Sequence, residues 1–320
     1  MKRLIVLLAV FAAIALAGST VSSAAWLNSI IAVLYVALLG QAWNILGGYG
    51  GQFSFGHAAF FGTGAYTVAV LQVQLGVNPW IGLVAGGLAG AVVALIIGSL
   101  VFRYGLRGSY FALVTLAFAE VLRILANTVP FTGAGVGILI PLDQRTATLQ
   151  FADKIGYFWL VWVLALAAFL TVWWLGESRF GARLMAVRDN EDAARALGVN
   201  AFRIKLGAIA LSGFFSALAG VFYAQLYLYL DPGIAYGAAI SVEALLVPII
   251  GGLGTLFGPL LGAAVLHLVS EMTRAAIGDA PGISLVLYGA LLVVMVTFLP
   301  RGLAGIGAQT ARRLLTTGAR

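Results

Sequence analysis

Almost every helix-forming stretch of this chain is apolar for about twenty residues, the length that crosses the ~30 Å hydrocarbon core of a bilayer. Ten such stretches can be read: 4–21, 26–46, 54–75, 80–102, 108–128, 156–176, 206–230, 238–256, 258–277 and 283–300. Turn chemistry separates them at Gly76 to Pro79, Pro130 to Pro141, Asp231-Pro232-Gly233 and Asp279 to Gly282, and Pro300 stops the last. Only a glycine-rich join divides 238–256 from 258–277. Backbone groups in lipid must be satisfied within the spanning segment, so the expected fold is an all-α integral membrane protein forming one transmembrane domain over residues 1–320. Composition closes the competing classes. Charged residues make up 9% of the chain and hydrophobic ones 62%, whereas a soluble domain carries roughly 25% charged residues on its wet surface. A cytosolic enzyme, a disordered chain and a nucleic-acid binder with a basic patch on a soluble surface are excluded. With no cysteine, a disulfide framework and a thiolate metal site are excluded too.

The net charge of +7 has a location. With the N-terminus inside, the inner segments are 1–3, 47–53, 103–107, 177–205, the join around Phe257, and 301–320. They hold Lys2, Arg3, Arg103, Arg107, Arg179, Arg183, Arg188, Arg195, Arg203, Lys205, Arg301, Arg312, Arg313 and Arg320, leaving only Arg123, Arg145, Lys154 and Arg274 elsewhere. This positive-inside bias predicts ten spans with both termini cytoplasmic. The first stretch reads in two ways. Lys2-Arg3, an apolar core and Ser22-Ser23-Ala24 describe a retained helix, the reading adopted here, or a cleavable signal peptide. An internal echo links Ile45-Leu46-Gly47-Gly48-Tyr49-Gly50 to Ile249-Ile250-Gly251-Gly252-Leu253-Gly254, each followed by Phe-Gly. Either the chain has two related halves, as transporters often do, or two glycine-rich joins coincide.

Small residues at four-residue spacing, Gly82, Gly86 and Gly90, then Ser212, Ser216 and Gly220, predict close helix contacts in lipid. Trp159, Trp162, Trp173 and Trp174 flank one span and are expected to form an interfacial belt. The most polar segment runs from Glu177 to Lys205. Asp189-Asn190 can cap a helix whose first turn carries Glu191 and Asp192, favourable at the positive end of the helix dipole, and Gly198 suits its end. The result is a short Ala-rich helix on the cytoplasmic side. It is either a solvated connector or a helix that inserts into a groove on a partner, where small side chains allow close approach.

Polar groups inside the membrane are functional candidates by default. His57, Glu243 and Pro248 are the candidates for lining a pathway; for His57 and Glu243 the alternative is a buried hydrogen bond or packing. Pro248 frees a backbone carbonyl near Glu243. Glu120 with Arg123, and Glu271 with Arg274, stand three residues apart and are expected to pair along their helices. The chain has no GxxxxGK[ST] phosphate loop, no HExxH and no GxSxG. ATP is therefore not cradled here in that way, and no catalytic or metal constellation is visible.

The string Asp192-Ala193-Ala194-Arg195-Ala196-Leu197-Gly198 resembles the EAA-xxx-G cytoplasmic loop of ABC-importer permeases, with Asp where Glu is usual. It is joined by GGYGGQFSFGHAAFFGTGAY (47–66), YFALVTLAFAEVLR (110–123), GGLGTLFGPLLGA (251–263) and FLPRGL (298–303). In this order and over most of the chain, these strings resemble the LivM-type permease subunits of branched-chain amino acid ABC transporters; LivH-type and urea-type permeases are the near alternatives. The resemblance implies a multi-pass inner (plasma) membrane subunit of an ATP-driven importer, itself without cofactor or enzymatic activity. Its implied partners are a homologous permease subunit, two cytoplasmic ATP-binding subunits and a periplasmic substrate-binding protein. Segment 177–205 would be the ATPase-coupling loop, with Glu191, Asp192, Ala193, Ala194 and Gly198 as its residues. The rival readings are an ion- or proton-coupled secondary transporter, which would need His57 or Glu243 as a titrating group, and a permease for urea or short amides.

Overall fold

The computed structural model describes residues 2–21, 23–143 and 145–277, with scattered positions between 286 and 305. The apolar stretches form helices: α1 (Lys2–Thr20), α2 (Ala24–Asn44) running on into a π-helical turn (Ile45–Tyr49), α3 (His57–Val73), α4 (Pro79–Arg103), α5 (Gly108–Thr128) and α6 (Lys154–Glu177). Two short polar helices follow, α7 (Arg179–Asp189) and α8 (Glu191–Ala196). Then come α9 (Ala201–Tyr227), the single turn α10 (Pro232–Ala235), α11 (Ala238–Gly251) and α12 (Gly258–Ile277). Strands β1 (Ile138–Leu139) and β2 (Tyr229–Leu230) pair antiparallel.

Among the described residues, seven helical segments are long and apolar enough to cross a membrane: α1, α2 with its π-turn, α4, α5, α6, α9, and α10 with α11. Three of the ten sequence-read stretches do not join them. Residues 50–56 leave the helical path, so α3 keeps 17 residues and rises only about 26 Å. Helix α12 carries Glu271 and Arg274, which lower its hydropathy. The stretch 283–300 falls outside the described residues apart from isolated positions.

Helix α9 is the structural axis, buried along α3 and α4. Small residues set the spacing: a Cβ on Gly220 would lie 2.0 Å from the Phe61 carbonyl oxygen, and one on Gly90 would lie 2.2 Å from Ala217 Cβ. The stripes read from the sequence are the places where these backbones touch. Helix α2 is buried along its second half, with Val247 of α11 against Gly40. Trp162 departs from the expected interfacial belt. Its ring packs on buried Phe11 of α1, and its Nε1–H donates to the Phe11 carbonyl at 3.0 Å, so it fastens α1 to α6.

The connections sort onto two faces. On one, β1 pairs with β2, while Trp80 and Asn78 donate to the carbonyls of Thr146 and Ala147 at 2.9 and 3.0 Å. On the other, the π-turn, the α4–α5 connection, α7, α8 and the join after α11 meet. The second face carries Arg103, Arg107, Arg179, Arg183, Arg188, Arg195, Arg203 and Lys205.

Candidate coupling site and pathway residues

On the basic face, local sequence dictates a helix pair. Ser178 caps α7 by accepting from the Gly181 N–H at 3.0 Å, and Phe180, Leu184 and Val187 give it an apolar stripe. Asn190 then ends α7 and caps α8, its Oδ1 accepting from the Ala193 N–H at 2.9 Å. Helix α8 closes with the Gly198 N–H bonded to the Arg195 carbonyl and the Val199 N–H to the Ala194 carbonyl. Gly198 sits at φ +83°, the left-handed conformation that ends helices in this way and favours glycine. The two alanines of the motif face opposite ways. Ala194 is buried against Val187, Val199 and Ala201, whereas Ala193, Ala196 and Leu197 point outward, Leu197 at 86% exposure. Ala194 therefore packs within the chain, and the large apolar side chain exposed beside it is Leu197.

Glu191 holds α8 to the rest of the molecule. Its side chain is 8% exposed, and its carboxylate bonds Lys205 Nζ at 2.6 Å, Arg195 at 2.6 Å and Arg107 Nε at 3.2 Å. Lys205, the fifth residue of α9, is itself 4% exposed and lies 5.3 Å from the centre of the Phe102 ring. Phe102 stacks on Phe111 of α5. Asp192 is mostly exposed and reaches Arg107 at 3.4 Å. Glu191 thus ties α8 to α9 and to the α4–α5 connection, while Asp192 faces outward.

A second attachment runs through α7. Arg188 donates to the Gly48 carbonyl at 3.1 Å in the π-turn and lies against Gly51 and Gly254. The two echoing strings meet at this point. Asn44 Oδ1 accepts from the Gly254 N–H at 2.9 Å, Asn44 Nδ2 donates to the Thr255 carbonyl at 3.0 Å, and a Cβ on Gly48 would lie 2.6 Å from the Gly254 nitrogen. Gly48 and Gly254 are the glycines through which the two strings approach each other, whereas Gly47 and Gly251 pack against Trp43 and Gly258.

The three pathway candidates do not form one surface. His57 is fully buried at the start of α3. Its Nε2 lies 2.8 Å from Ser212 Oγ, which gives its own hydrogen to the Ala42 carbonyl at 2.7 Å. Nε2 must therefore carry the proton and donate, which leaves Nδ1 as a bare acceptor, buried without a partner among the described residues. Pro248 is buried within α11. Glu243 is partly exposed, makes no hydrogen bond or ion pair among the described residues, and lies in electrostatic range of the Tyr35, Tyr223 and Tyr227 hydroxyls. Arg123 bonds Glu120 at 2.9 Å and Arg274 reaches Glu271 at 3.4 Å, each along its own helix.

Seven helical segments long and apolar enough to span a bilayer, with one polar, capped and charge-anchored helix pair on the basic face, define the class: a multi-pass membrane protein. The chain belongs to the family described as the permease component of branched-chain amino acid transport systems, whose model matches residues 25–296. It is 31% identical over 297 residues to the high-affinity branched-chain amino acid transport permease LivM of Escherichia coli K12, covering 85% of this chain and 68% of that protein. It is 23% identical over 285 residues to the permease LivH of the same strain, covering 84% and 91%. The L-arabinose permease AraH of Escherichia coli K12 is 27% identical over 252 residues, covering 78% and 74%. No solved structure gives a significant match.

Proposed function

We propose that this chain is the membrane-spanning permease subunit of an ATP-driven importer of branched-chain or related amino acids. The observation that carries the reading is α8: a capped helix on the basic face, anchored by buried charge on one side and offering Leu197 and two alanines on the other. That form suits insertion into a groove of an ATP-hydrolysing partner. The basic face is the cytoplasmic one, the chain crosses the inner membrane ten times, and both termini lie inside. The packing of Phe11 against Trp162 and Phe169 supports a retained α1. A homologous permease completes the pathway, two ATP-binding subunits dock inside, and a periplasmic binding protein delivers the solute.

In the mechanism, ATPase closure displaces α7–α8 as a unit, and the attachments at Glu191 and Arg188 carry that displacement to α9, α4–α5 and the glycine joins. The spans then reorient between outward and inward access. Of the pathway candidates, Glu243 is retained, since it alone reaches beyond the packed interior. An amino-acid substrate is favoured over a sugar because the LivM relative matches at higher identity and over more of this chain than the arabinose permease. Proteoliposomes holding the complete transporter should take up leucine with ATP inside, lose uptake with vanadate, and keep it when the membrane potential is collapsed. Uptake that persists with vanadate but stops on collapse of the potential would assign the chain to ion-driven transport.

A further inference from the structure

We infer that Glu191 is the positioning residue that makes α8 move together with α4, α5 and α9. The inference rests on the coupling-helix reading and adds to it a specific mechanical link. Three cations converge here: Lys205 from α9, Arg107 from the α4–α5 connection, and Arg195 from α8 itself. Among the described residues, Glu191 is the one carboxylate that pairs with all three, and Asp192, mostly exposed, pairs with Arg107. The Glu191–Lys205 pair is nearly dry on both sides, so its attraction is screened little by water or salt. Neutralising Glu191 strips buried Lys205 of its carboxylate partner and leaves Arg107 to Asp192 alone, so the contact that ties α8 to α9 is lost. The contact on Phe102, stacked on Phe111, extends the link from Lys205 into the inner ends of α4 and α5. A helix of six residues has little surface with which to grip these spans. The Glu191 carboxylate supplies the grip, while the outward Leu197 side remains for the partner.

The test uses the complete transporter, with its ATP-binding subunits and binding protein, in proteoliposomes. Solute moved per ATP hydrolysed is compared for wild type, Glu191→Gln, Glu191→Asp, Glu191→Gln with Lys205→Met, and Leu197→Asp. Glu191→Gln should lower the ratio by about tenfold or more, the size of a typical coupling free energy. Glu191→Asp, which keeps the charge, should stay close to wild type. The Glu191→Gln, Lys205→Met pair should be no worse than Glu191→Gln alone, because both remove the same link. A wild-type ratio in Glu191→Gln overturns the inference, as does a fall in transport and hydrolysis in equal proportion. Leu197→Asp reports on the docking reading separately. Loss of the ATP-binding subunits from that variant upholds docking whatever Glu191 does, and their full retention with normal transport overturns docking itself.

Discussion

His57 is buried at the start of α3 and held there by one hydrogen bond. An intramembrane histidine invites a proton-relay reading, but Ser212 uses its only hydrogen on Ala42 and so requires His57 to donate. We propose that the imidazole packs between α2, α3 and α9 rather than lining a pathway, a reading its buried hydrogen bond supports. His57→Leu should lower thermal stability in detergent by about 1 kcal/mol, the worth of one hydrogen bond, with uptake per folded molecule unchanged. Lost uptake at unchanged stability would return the ring to the pathway. Gly198 is the opposite kind of residue, chosen for its backbone. A Cβ there meets nothing within 4 Å, so the penalty of Gly198→Ala comes from φ +83° alone. That penalty is about 1 kcal/mol. Amide exchange at Val199 should accelerate by about fivefold as α8 frays, and an unchanged rate would show that the end of α8 is held by something else.

The spans were legible as apolar runs, and α8 as a cap followed by acidic residues, because both signals are local. Helix α7 was equally local but overlooked: Ser178 as cap with Phe180, Leu184 and Val187 at helical spacing could have been read. Helix α9 begins ahead of the apolar run at 206, because Asn200 caps it by accepting from the Arg203 N–H at 3.0 Å. The attachments of α8 could not be read. Glu191 meets Lys205 across 14 residues and Arg107 across a turn of chain that passes through two membrane spans, and Asn44 meets Gly254 across 210. Nothing in residue spacing encodes such meetings. The four-residue glycine stripes did carry their meaning through, as the α3–α4–α9 seam shows. Gly220→Leu should overpack that seam, costing about 1–3 kcal/mol or more and lowering the yield of folded protein. A variant as stable as wild type would mean that α9 and α3 are not in backbone contact.

The whole chain is an oriented object. Its two faces differ in charge, and the structure gathers the polar helices on the basic one. Because the native sequence has no cysteine, single cysteines report side directly. Val136, 82% exposed beside β1, and Leu197, 86% exposed after α8, are the natural pair. In sealed cells an impermeant maleimide should label Val136→Cys at once and Leu197→Cys only after permeabilisation; the reverse pattern would invert the topology. We propose that an ATP-hydrolysing subunit docks on the α8 face that bears Leu197. A photocrosslinker carried on Leu197→Cys in the assembled transporter measures this most directly. A covalent product with the ATP-binding subunit is expected, its yield changing when ATP is bound. Crosslinking confined to lipid or to the other permease subunit, with the ATP-binding subunit untouched, would contradict it.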